Sequence, residues 1–318
     1  MTRKECYEQC VNEVQNARLA RAAKREEGAE RLKKENPRFA EICELLSALS
    51  PKVARAAISG DTVELEHLKD TVTVLGKERA VLLKSAGIGG DDFACEKCRD
   101  TGFVNGKYCD CIKQAARELA VKNLAAVAPV DSCRFENFDL SFYPDADTEN
   151  GNPKKRMTEI LKLCKEYTLN FDPEKSDSLL FIGNTGLGKT HLSLAMAYEL
   201  LMRGFDVIYG SAYNLFARME KEHFSEHNDN YYGDAVSCDL LIIDDLGGEF
   251  VSPYVQSLVY NIINTRLLAR KPTVINTNLS MAEINRIYTP RVASRLLGEY
   301  VAKKFIGSDI RQQKSIKK

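Results

Sequence analysis

The segment Gly183–Thr190 constrains the fold of this chain more than any other feature of its sequence. It reads Gly-Asn-Thr-Gly-Leu-Gly-Lys-Thr and matches the phosphate-loop pattern G-x-x-x-x-G-K-[ST] at every position. A short apolar run, Leu179–Ile182, precedes it, and a helical stretch, Lys189–Arg203, follows it. Glycines let a backbone wrap around a phosphate, and the N-terminus of the following helix carries partial positive charge. The sequence therefore predicts a site for the phosphates of a nucleotide.

Two side chains of this loop are predicted to carry its chemistry. Lys189 would reach the β- and γ-phosphates, and the Thr190 hydroxyl would hold Mg²⁺. ATP with Mg²⁺ is the expected ligand. The other positions predicted to bind the nucleotide are Gly183, Asn184, Thr185, Gly186, Leu187, Gly188 and His191.

A second apolar run ends in two carboxylates. Cys238–Asp245 reads Cys-Asp-Leu-Leu-Ile-Ile-Asp-Asp, which predicts a strand that delivers Asp244 and Asp245 at its carboxyl end, where open α/β sheets bind their ligands. Asp244 is predicted to hold Mg²⁺, directly or through water, and Asp245 to orient or activate the attacking water. Hydrolysis of ATP, or switching driven by ATP, is the leading chemistry.

From about Ser178 onward, short apolar runs alternate with helical stretches such as Tyr254–Ala269. The runs are bounded by polar residues or glycine and are rich in Val, Ile and Leu, as buried parallel strands are. They are Leu179–Ile182, Asp206–Tyr209, Leu240–Ile243 and Thr273–Asn276. This alternation predicts a three-layer α/β domain with a parallel central sheet.

Residues 1–90 are highly charged and are predicted to be helical, with no catalytic constellation. Ser50-Pro51 is predicted to start a new helix, Asp61 to cap another, and Gly87–Asp92 to form a hinge-like break. Two interpretations stay open for this region: a helical lid packed on its own nucleotide-binding domain, or an adaptor that docks on another protein by a helix face.

Four of the ten cysteines crowd into seventeen positions, as Cys95, Cys98, Cys109 and Cys111. The C-x₂-C pair is typical of a tetrahedral Zn²⁺ site, and the C-x-C pair is less usual. With a small hairpin between the two pairs, the four cysteines predict a zinc site that supplies folding energy to a small module. An iron–sulfur cluster and free thiols are the alternatives. His223 and His227 are spaced to share a metal, but a solvated helix face is the favoured interpretation.

Composition sets limits on the function. Lys+Arg and Asp+Glu number 45 each in 318 residues, so the net charge is zero and a strongly basic nucleic-acid coat is excluded. The length suggests two domains. No apolar run approaches the length of a membrane span, and no secretory signal is visible, so we expect a cytoplasmic protein without a membrane partner.

With these motifs placed, Phe181–Lys314 resembles the AAA+ ATPase domain of DnaC- and DnaI-type replicative helicase loaders, within the IstB-like ATP-binding superfamily. Ile243–Glu249 is similar to that family's extended second motif. By this resemblance Asn278 contacts the γ-phosphate or the lytic water, and Arg311 points at the nucleotide of its own subunit. Arg295 would be the arginine finger that reaches a neighbouring subunit, with Arg291 as a rival.

The resemblance implies an ATP-dependent loader of the replicative hexameric helicase onto single-stranded DNA, with nucleotide-dependent self-assembly and slow hydrolysis. The implied domains are 1–90 for helicase interaction, 91–130 for a Cys₄ zinc module with a linking helix, and 131–318 for the AAA+ ATPase. The zinc position is also similar to that in Gram-positive and phage loaders. The alternatives are an IstB-type transposition helper ATPase and a zinc-dependent adaptor that binds nucleotide without useful hydrolysis.

Contact with DNA would have to be local. One candidate surface is the basic C-terminal segment with Lys303, Lys304, Arg311, Lys314, Lys317 and Lys318. The other is the helix after the second strand of the sheet, with Tyr213, Phe216, Arg218 and Lys221, where rings could stack on bases and cations could contact phosphates. A charged surface helix with core aromatics is the competing interpretation.

Overall fold

The computed structural model describes residues 2–89, 93–224 and 230–316. The chain divides into two compact units: a helical unit, Glu8–Ile112, and a sheet unit, formed by Met1–Tyr7 with Lys113–Lys318. The division into functional domains at residues 90 and 130 stays a prediction. Lys317, Lys318, His227 and the part of the expected hinge from residue 90 to residue 92 lie outside the described residues.

The helical unit contains most of a long first helix, two further helices and a small hairpin. Their bounds are α1 (Arg3–Glu35), α2 (Pro37–Ser59), α3 (Thr62–Ser85), β1 (Phe103–Val104) and β2 (Lys107–Tyr108). Asn36 caps α2 by accepting from the amide of Phe39, and Asp61 caps α3, as predicted, by accepting from the amide of Glu64. Among the described helices, none has an apolar stretch long enough to cross a bilayer.

The predicted helix start at Ser50-Pro51 is wrong, because α2 continues through Pro51 to Ser59. A proline inside a helix removes one N–H donor and crowds the carbonyl four residues earlier. Here that carbonyl belongs to Ser47, and both residues are exposed, so water can hydrate the carbonyl. The Ser50 hydroxyl turns back and donates to the Leu46 carbonyl at 3.1 Å.

The sheet unit is a five-stranded parallel sheet with helices on both faces, which confirms the predicted α/β fold with its helical N-terminal region. The strand order is β4-β5-β6-β3-β7. In chain order the elements are α4 (Asp110–Val127), α5 (Pro153–Leu169), β3 (Ser178–Ile182), α6 (Lys189–Arg203), β4 (Val207–Ser211), α7 (Ala212–His223), α8 (Tyr231–Ser237), β5 (Leu240–Leu246), α9 (Pro253–Leu268), β6 (Thr273–Thr277), α10 (Met281–Tyr288), α11 (Pro290–Glu299), β7 (Tyr300–Lys304) and α12 (Ile310–Ile316).

Alternate residues of the interior strand β3 face two different cores. Leu179 and Phe181 pack in a cluster with α5 and α6, whereas Leu180 packs in a second cluster with α7 and α9. Burial on both faces explains why the strands read as continuous apolar runs instead of an alternating pattern. Parallel pairing also brings the carboxyl ends of β3, β5 and β6 to one edge of the sheet, where the polar residues follow.

The sequence pattern does not predict the edge strand β7, which pairs with β3. Of its five residues only Tyr300 is buried, and the last two are Lys303 and Lys304. The side chain of Lys304 donates to Oδ1 of Asn150 at 2.8 Å. An edge strand covered on part of its surface lacks the apolar run that identifies the interior strands.

Arg266 is the largest fully buried side chain of the described residues and ties three segments of the sheet unit together. From α9 its guanidinium donates to the carbonyls of Ala235 and Pro272 at 2.7 and 2.6 Å, to the Cys238 carbonyl at 3.1 Å, and to Oγ1 of Thr273 at 2.9 Å. A planar group with several fixed donors suits this set of acceptors.

We expect Arg266→Met to lower the free energy of unfolding by at least about 3 kcal/mol, because several buried acceptors would lose their donor. Urea denaturation measures this change. The matched control is Arg156→Met on the exposed face of α5, which we expect to stay within about 0.5 kcal/mol of the unaltered protein. Equal unfolding midpoints for the two variants would contradict a structural role for Arg266.

Candidate functional site

The phosphate loop leaves the carboxyl end of β3 and enters α6 at Lys189. Gly186 has φ 72° and Gly188 has φ 88°, in the left-handed region that favours glycine. A Cβ atom at Gly188 would lie 2.8 Å from Cε2 of Phe138, and one at Gly186 would lie 2.0 Å from Oδ1 of Asp309. The backbone angles favour glycine at both positions, and at Gly188 the ring of Phe138 also leaves no room for a Cβ atom.

The loop borders a cavity of about 580 Å³ that brings together most of the predicted site residues. Gly183 and Asn184 are not part of its lining, but their carbonyls accept hydrogen bonds from Lys189. The predicted residues that line the cavity are Thr185, Gly186, Leu187, Gly188, Lys189, Thr190, His191, Asp244, Asp245, Asn278 and Arg311.

The ammonium group of Lys189 is buried and is held by neutral acceptors. It donates to the carbonyls of Gly183 and Asn184 at 2.6 and 2.8 Å and to Oδ1 of Asn278 at 2.6 Å. Burial lowers the pKa of Lys189 to about 8, although the nearby carboxylates of Asp244 and Asp245 act in the opposite direction. An anion placed beside Lys189 would favour its charged form, which suits this position for phosphate.

Asp244 lies at the centre of a network of donors. Its Oδ1 accepts from Oγ1 of Thr190 at 3.1 Å and from Nδ2 of Asn276 at 2.6 Å, and its Oδ2 accepts from the hydroxyl of Tyr209 at 2.7 Å. Oxygen ligands are those that Mg²⁺ prefers, so Thr190 and Asp244 form a donor set that fits this ion. Sequence reasoning missed Asn276 and Tyr209, whose only signal is a polar group near the carboxyl end of an apolar run.

Asp245 and Asn278 are joined directly at the rim of the cavity. Nδ2 of Asn278 donates to Oδ1 of Asp245 at 2.8 Å, while its Oδ1 accepts from Lys189. Asp245 has φ 56° and lies where the register between β5 and β6 shifts, so its side chain points away from the strand pairing and toward the exposed rim. This arrangement suits a carboxylate that must reach a water molecule.

The acidic motif continues into a loop that is tied to α10. Oε2 of Glu249 accepts from the amide of Gly247 at 2.9 Å, and its Oε1 accepts from the hydroxyl of Tyr288. Burial and the neighbouring Glu249 raise the pKa of Tyr288, so the phenol stays protonated and donates. The loop after Asp245 is thereby attached to the helix that precedes α11.

One wall of the cavity is aromatic and comes from the chain before α5. Phe138 stacks on Tyr143 with ring centroids 5.8 Å apart, and His191 meets Phe138 edge-on at 5.2 Å. Nε2 of His191 lies 2.8 Å from the Arg134 carbonyl, and burial lowers the pKa of His191. Phe138 and Tyr143 are 8% and 2% exposed, and the Tyr143 hydroxyl donates to the Leu187 carbonyl at 3.0 Å, so this wall supports the phosphate loop. The sequence identified His191 but not Phe138 or Tyr143, because those two residues are distant from the motifs along the chain.

The three predicted arginines lie in different places. Arg311 lines the cavity, as does Lys314. Neither Arg291 nor Arg295 is among the described residues that line the cavity. The guanidinium carbon of Arg295 lies 5.7 Å from the centre of the Tyr260 ring on α9, and Arg291 is exposed at the start of α11.

The predicted DNA-contacting set on α7 needs one correction. Phe216 is only 1% exposed, because it lies on the amphipathic face of α7 that packs into the core, so it offers no ring for base stacking. Arg218 donates to Oε1 of Glu222 at 3.1 Å and lies over the ring of Tyr231. Tyr213 is exposed, and its contact with DNA, like that of Lys221, stays a prediction.

The four clustered cysteines form a second candidate site, in the helical unit. Their sulfur atoms all lie within 4.8 Å of one another, with Cys95 to Cys109 at 3.8 Å and Cys98 to Cys111 at 3.7 Å. A tetrahedron of thiolates with zinc–sulfur bonds of about 2.3 Å has edges of about 3.8 Å. The cluster therefore fits Zn²⁺. The predicted hairpin between the cysteine pairs is present as β1 and β2.

A buried carboxylate organises the first cysteine pair. Asp100 is fully buried, with φ 56°, and accepts from the amides of Ala94 and Cys95 at 3.0 and 2.8 Å and from the guanidinium of Arg21 on α1. Burial alone would raise the pKa of Asp100, but the two amides and the charges of Arg21 and Arg18 outweigh it, so the pKa lies below its usual range. The carboxylate therefore stays charged.

The fold and the first site together define a P-loop nucleotide-binding protein with a parallel α/β sheet, to which a four-cysteine centre is attached. The family model described as "IstB-like ATP binding protein" matches residues 111–301, more than half of the chain. The chain therefore belongs to the IstB-like ATP-binding protein family. This match confirms the resemblance to the IstB-like ATP-binding superfamily that the motifs indicate.

Several named proteins are similar to this chain. The replicative helicase loader DnaC of Escherichia coli is 23% identical over 235 residues, which are 73% of this chain and 90% of the relative. An insertion-sequence protein of Geobacillus stearothermophilus, described by its name as ATP-binding, is 26% identical over 48% of this chain and 55% of its own. A crystal structure of the DnaC helicase loader matches 54% of this chain and 97% of its own at 23% identity, with a TM-score of 0.45.

We expect the purified protein to contain one zinc ion per chain, and Cys98→Ser to lose it, because three thiolates cannot complete the tetrahedral set. Elemental analysis and the visible absorption of a cobalt-substituted sample measure the occupancy. Cys43→Ser is the matched control, since Cys43 lies on α2 and outside the cluster. Stoichiometric bound iron would instead support the iron–sulfur alternative, and a metal-free, folded protein would contradict both.

Proposed function

We propose that this chain is an ATP-dependent loader that delivers the replicative DNA helicase, a hexameric ring, onto single-stranded DNA in the cytoplasm. The relation to the DnaC loader of Escherichia coli, which spans 90% of that protein, supports the loader role. The observation that carries the ATP-dependent part is Asn278, whose amide contacts both Lys189 and Asp245. One side chain thereby links the group that would bind phosphate to the group that would orient water.

Each group of residues in the cavity has a separate role in ATP hydrolysis. The loop amides and Lys189 bind the β- and γ-phosphates. Thr190 and Asp244 hold Mg²⁺, which supplies positive charge beside the phosphates. Asp245 orients the attacking water, and Asn278 fixes the position of Asp245. Arg311 approaches the nucleotide from the C-terminal segment of the same chain.

Full turnover requires a second copy of the chain. Arg295 is outside the cavity of its own subunit, so we assign it to the nucleotide of a neighbour in a nucleotide-dependent homo-oligomer. A guanidinium stabilises the charge that spreads over the γ-phosphate oxygens during phosphoryl transfer. Hydrolysis by an isolated subunit is then slow, and assembly switches it on.

We expect Arg295→Ala to keep ATP binding and to lower turnover by about a thousandfold, the scale of an arginine finger. Mixing it with Lys189→Ala should restore part of the activity, because Arg295→Ala subunits bind ATP while their neighbours supply the arginine. Steady-state ATPase assays of each variant and of the mixture measure this. Arg291→Ala is the control; if it alone lost turnover, Arg291 would be the finger.

The remaining parts of the chain have separate roles in loading. Residues 1–90 dock on the helicase by a helix face, residues 91–130 hold zinc and link the parts, and residues 131–318 form the ATPase. Exposed cations of the C-terminal segment and of α7 contact single-stranded DNA locally, which agrees with a net charge of zero.

Loading is tested with the full chain, a replicative hexameric helicase and a closed single-stranded DNA circle. We expect the chain to capture the helicase and to increase its strand-displacement activity on the circle in an ATP-dependent manner. Lys189→Ala should keep the capture and lose the ATP dependence, because the phosphates lose their buried cation. A chain that neither captures nor delivers the helicase would overturn the loader role.

A transposition helper ATPase is the second candidate, supported by the family model and by the insertion-sequence relative. The four-cysteine cluster favours the loader, since we do not expect such a cluster in the helper. Capture of a transposase in place of the helicase would decide for the helper. ATP binding without measurable turnover in any assembly would favour the third possibility, a zinc-dependent adaptor.

A further inference from the structure

The carboxylate of Asp244 is held by donors from both neighbouring strands. Tyr209 on β4 donates to Oδ2, and Asn276 on β6 donates to Oδ1. Asp244 is buried at 7% exposure, its contact with Asn276 is buried, and its contact with Tyr209 is partly buried. A hydrogen bond to a charged group is stronger than one between neutral groups, especially where water is excluded. The rotation of the carboxylate is therefore restrained from two sides.

The position of Tyr209 explains why a tyrosine is needed at this point of the strand. In the parallel register Ser211 lies beside Asp244, and Tyr209 lies two residues earlier on β4, beside Ile242. Tyr209 and Ser211 point to the same face of the sheet, since side chains alternate along a strand. Only a long side chain can span this diagonal separation. Phenylalanine would fill the same space, but it has no hydroxyl to donate.

Asn276 is the donor on the opposite side of Asp244 from Tyr209. It is fully buried, and its Nδ2 also lies 2.8 Å from Oγ of Ser193. Its carbonyl oxygen Oδ1 is buried without any hydrogen-bond partner among the described residues. An unpaired buried acceptor costs free energy. Because the amide keeps this orientation, donation to Asp244 determines how Asn276 is placed.

We propose that Tyr209 is a positioning residue that fixes the carboxylate of Asp244 for magnesium, with Asn276 as its counterpart on the opposite strand. The inference rests on the proposed binding of ATP with magnesium at this site. Partners that hydrogen-bond to a metal ligand orient it, and their loss weakens metal affinity or activity about 10- to 100-fold. Tyr209 would act through Asp244 without contacting the nucleotide itself.

The test compares Tyr209→Phe with Tyr167→Phe in the full chain. Tyr167 on α5 donates to the Asp177 carbonyl at 2.9 Å, so the control loses a hydroxyl and a hydrogen bond of similar length outside the cavity. ATP affinity is measured by calorimetry in EDTA and across a MgCl₂ titration, and ATP turnover is followed over the same titration. Thermal unfolding checks that both variants fold.

We expect Tyr209→Phe to need about tenfold more MgCl₂ for half-maximal ATP binding and turnover. Its ATP affinity in EDTA and its turnover at saturating MgCl₂ should stay near those of the unaltered protein. Tyr167→Phe should follow the unaltered protein throughout. A loss caused by misfolding would lower ATP affinity in EDTA as well, which separates a structural effect from the positioning role.

A double-mutant cycle completes the test. In an Asp244→Ala background, Tyr209→Phe should change ATP affinity at fixed MgCl₂ no further, because the tyrosine acts through the missing carboxylate. An equal loss in both backgrounds, or an unchanged magnesium dependence of Tyr209→Phe, would overturn the positioning role. If the unaltered protein showed no magnesium-dependent ATP binding, the proposed function would fail first.

Discussion

The buried ammonium of Lys189 is the interaction on which the rest of the site depends. A charge removed from water is costly unless acceptors surround it, and here the loop supplies two carbonyls while β6 leads to Asn278. The loop can present its carbonyls only because glycines permit its backbone path. Burial lowers the pKa of Lys189 to about 8, although the carboxylates of Asp244 and Asp245 act in the opposite direction. The site is thus poised for an anion that would complete the surroundings of the lysine.

Around this lysine the sheet holds its polar groups at some expense of local stability. Asp245 takes a positive φ at a shift in strand register, and Asn276 keeps a buried carbonyl oxygen unpaired. Both features bear on the two carboxylates that would serve magnesium and water. Local strain and unpaired groups are characteristic of functional sites, where the surrounding core maintains them.

The helical unit depends on a different kind of constraint. Its long helices pack through few buried side chains, such as Phe39 and Ile42 of α2, whereas the cysteine cluster is organised by backbone turns and by Asp100. The ion pair between Asp100 and Arg21 joins the turn of the first cysteine pair to α1. A metal bound by the cysteines would therefore stabilise a helix as well as its own small loop.

The sequence alone determined the fold class, the phosphate loop, the acidic pair and the cysteine cluster, because each depends on residues close together in the chain or on apolar runs buried on both faces. Only the tertiary structure revealed Tyr209, Asn276 and the aromatic wall, since strand register and chain packing bring these distant residues to Asp244 and the loop. The tertiary structure also shows that Phe216 is buried and that α2 continues through Pro51. The sequence could not decide either point, because burial and hydration depend on the surroundings of a residue. The structure of one chain does not test the predicted role of Arg295, because that role is to contact the nucleotide of another subunit.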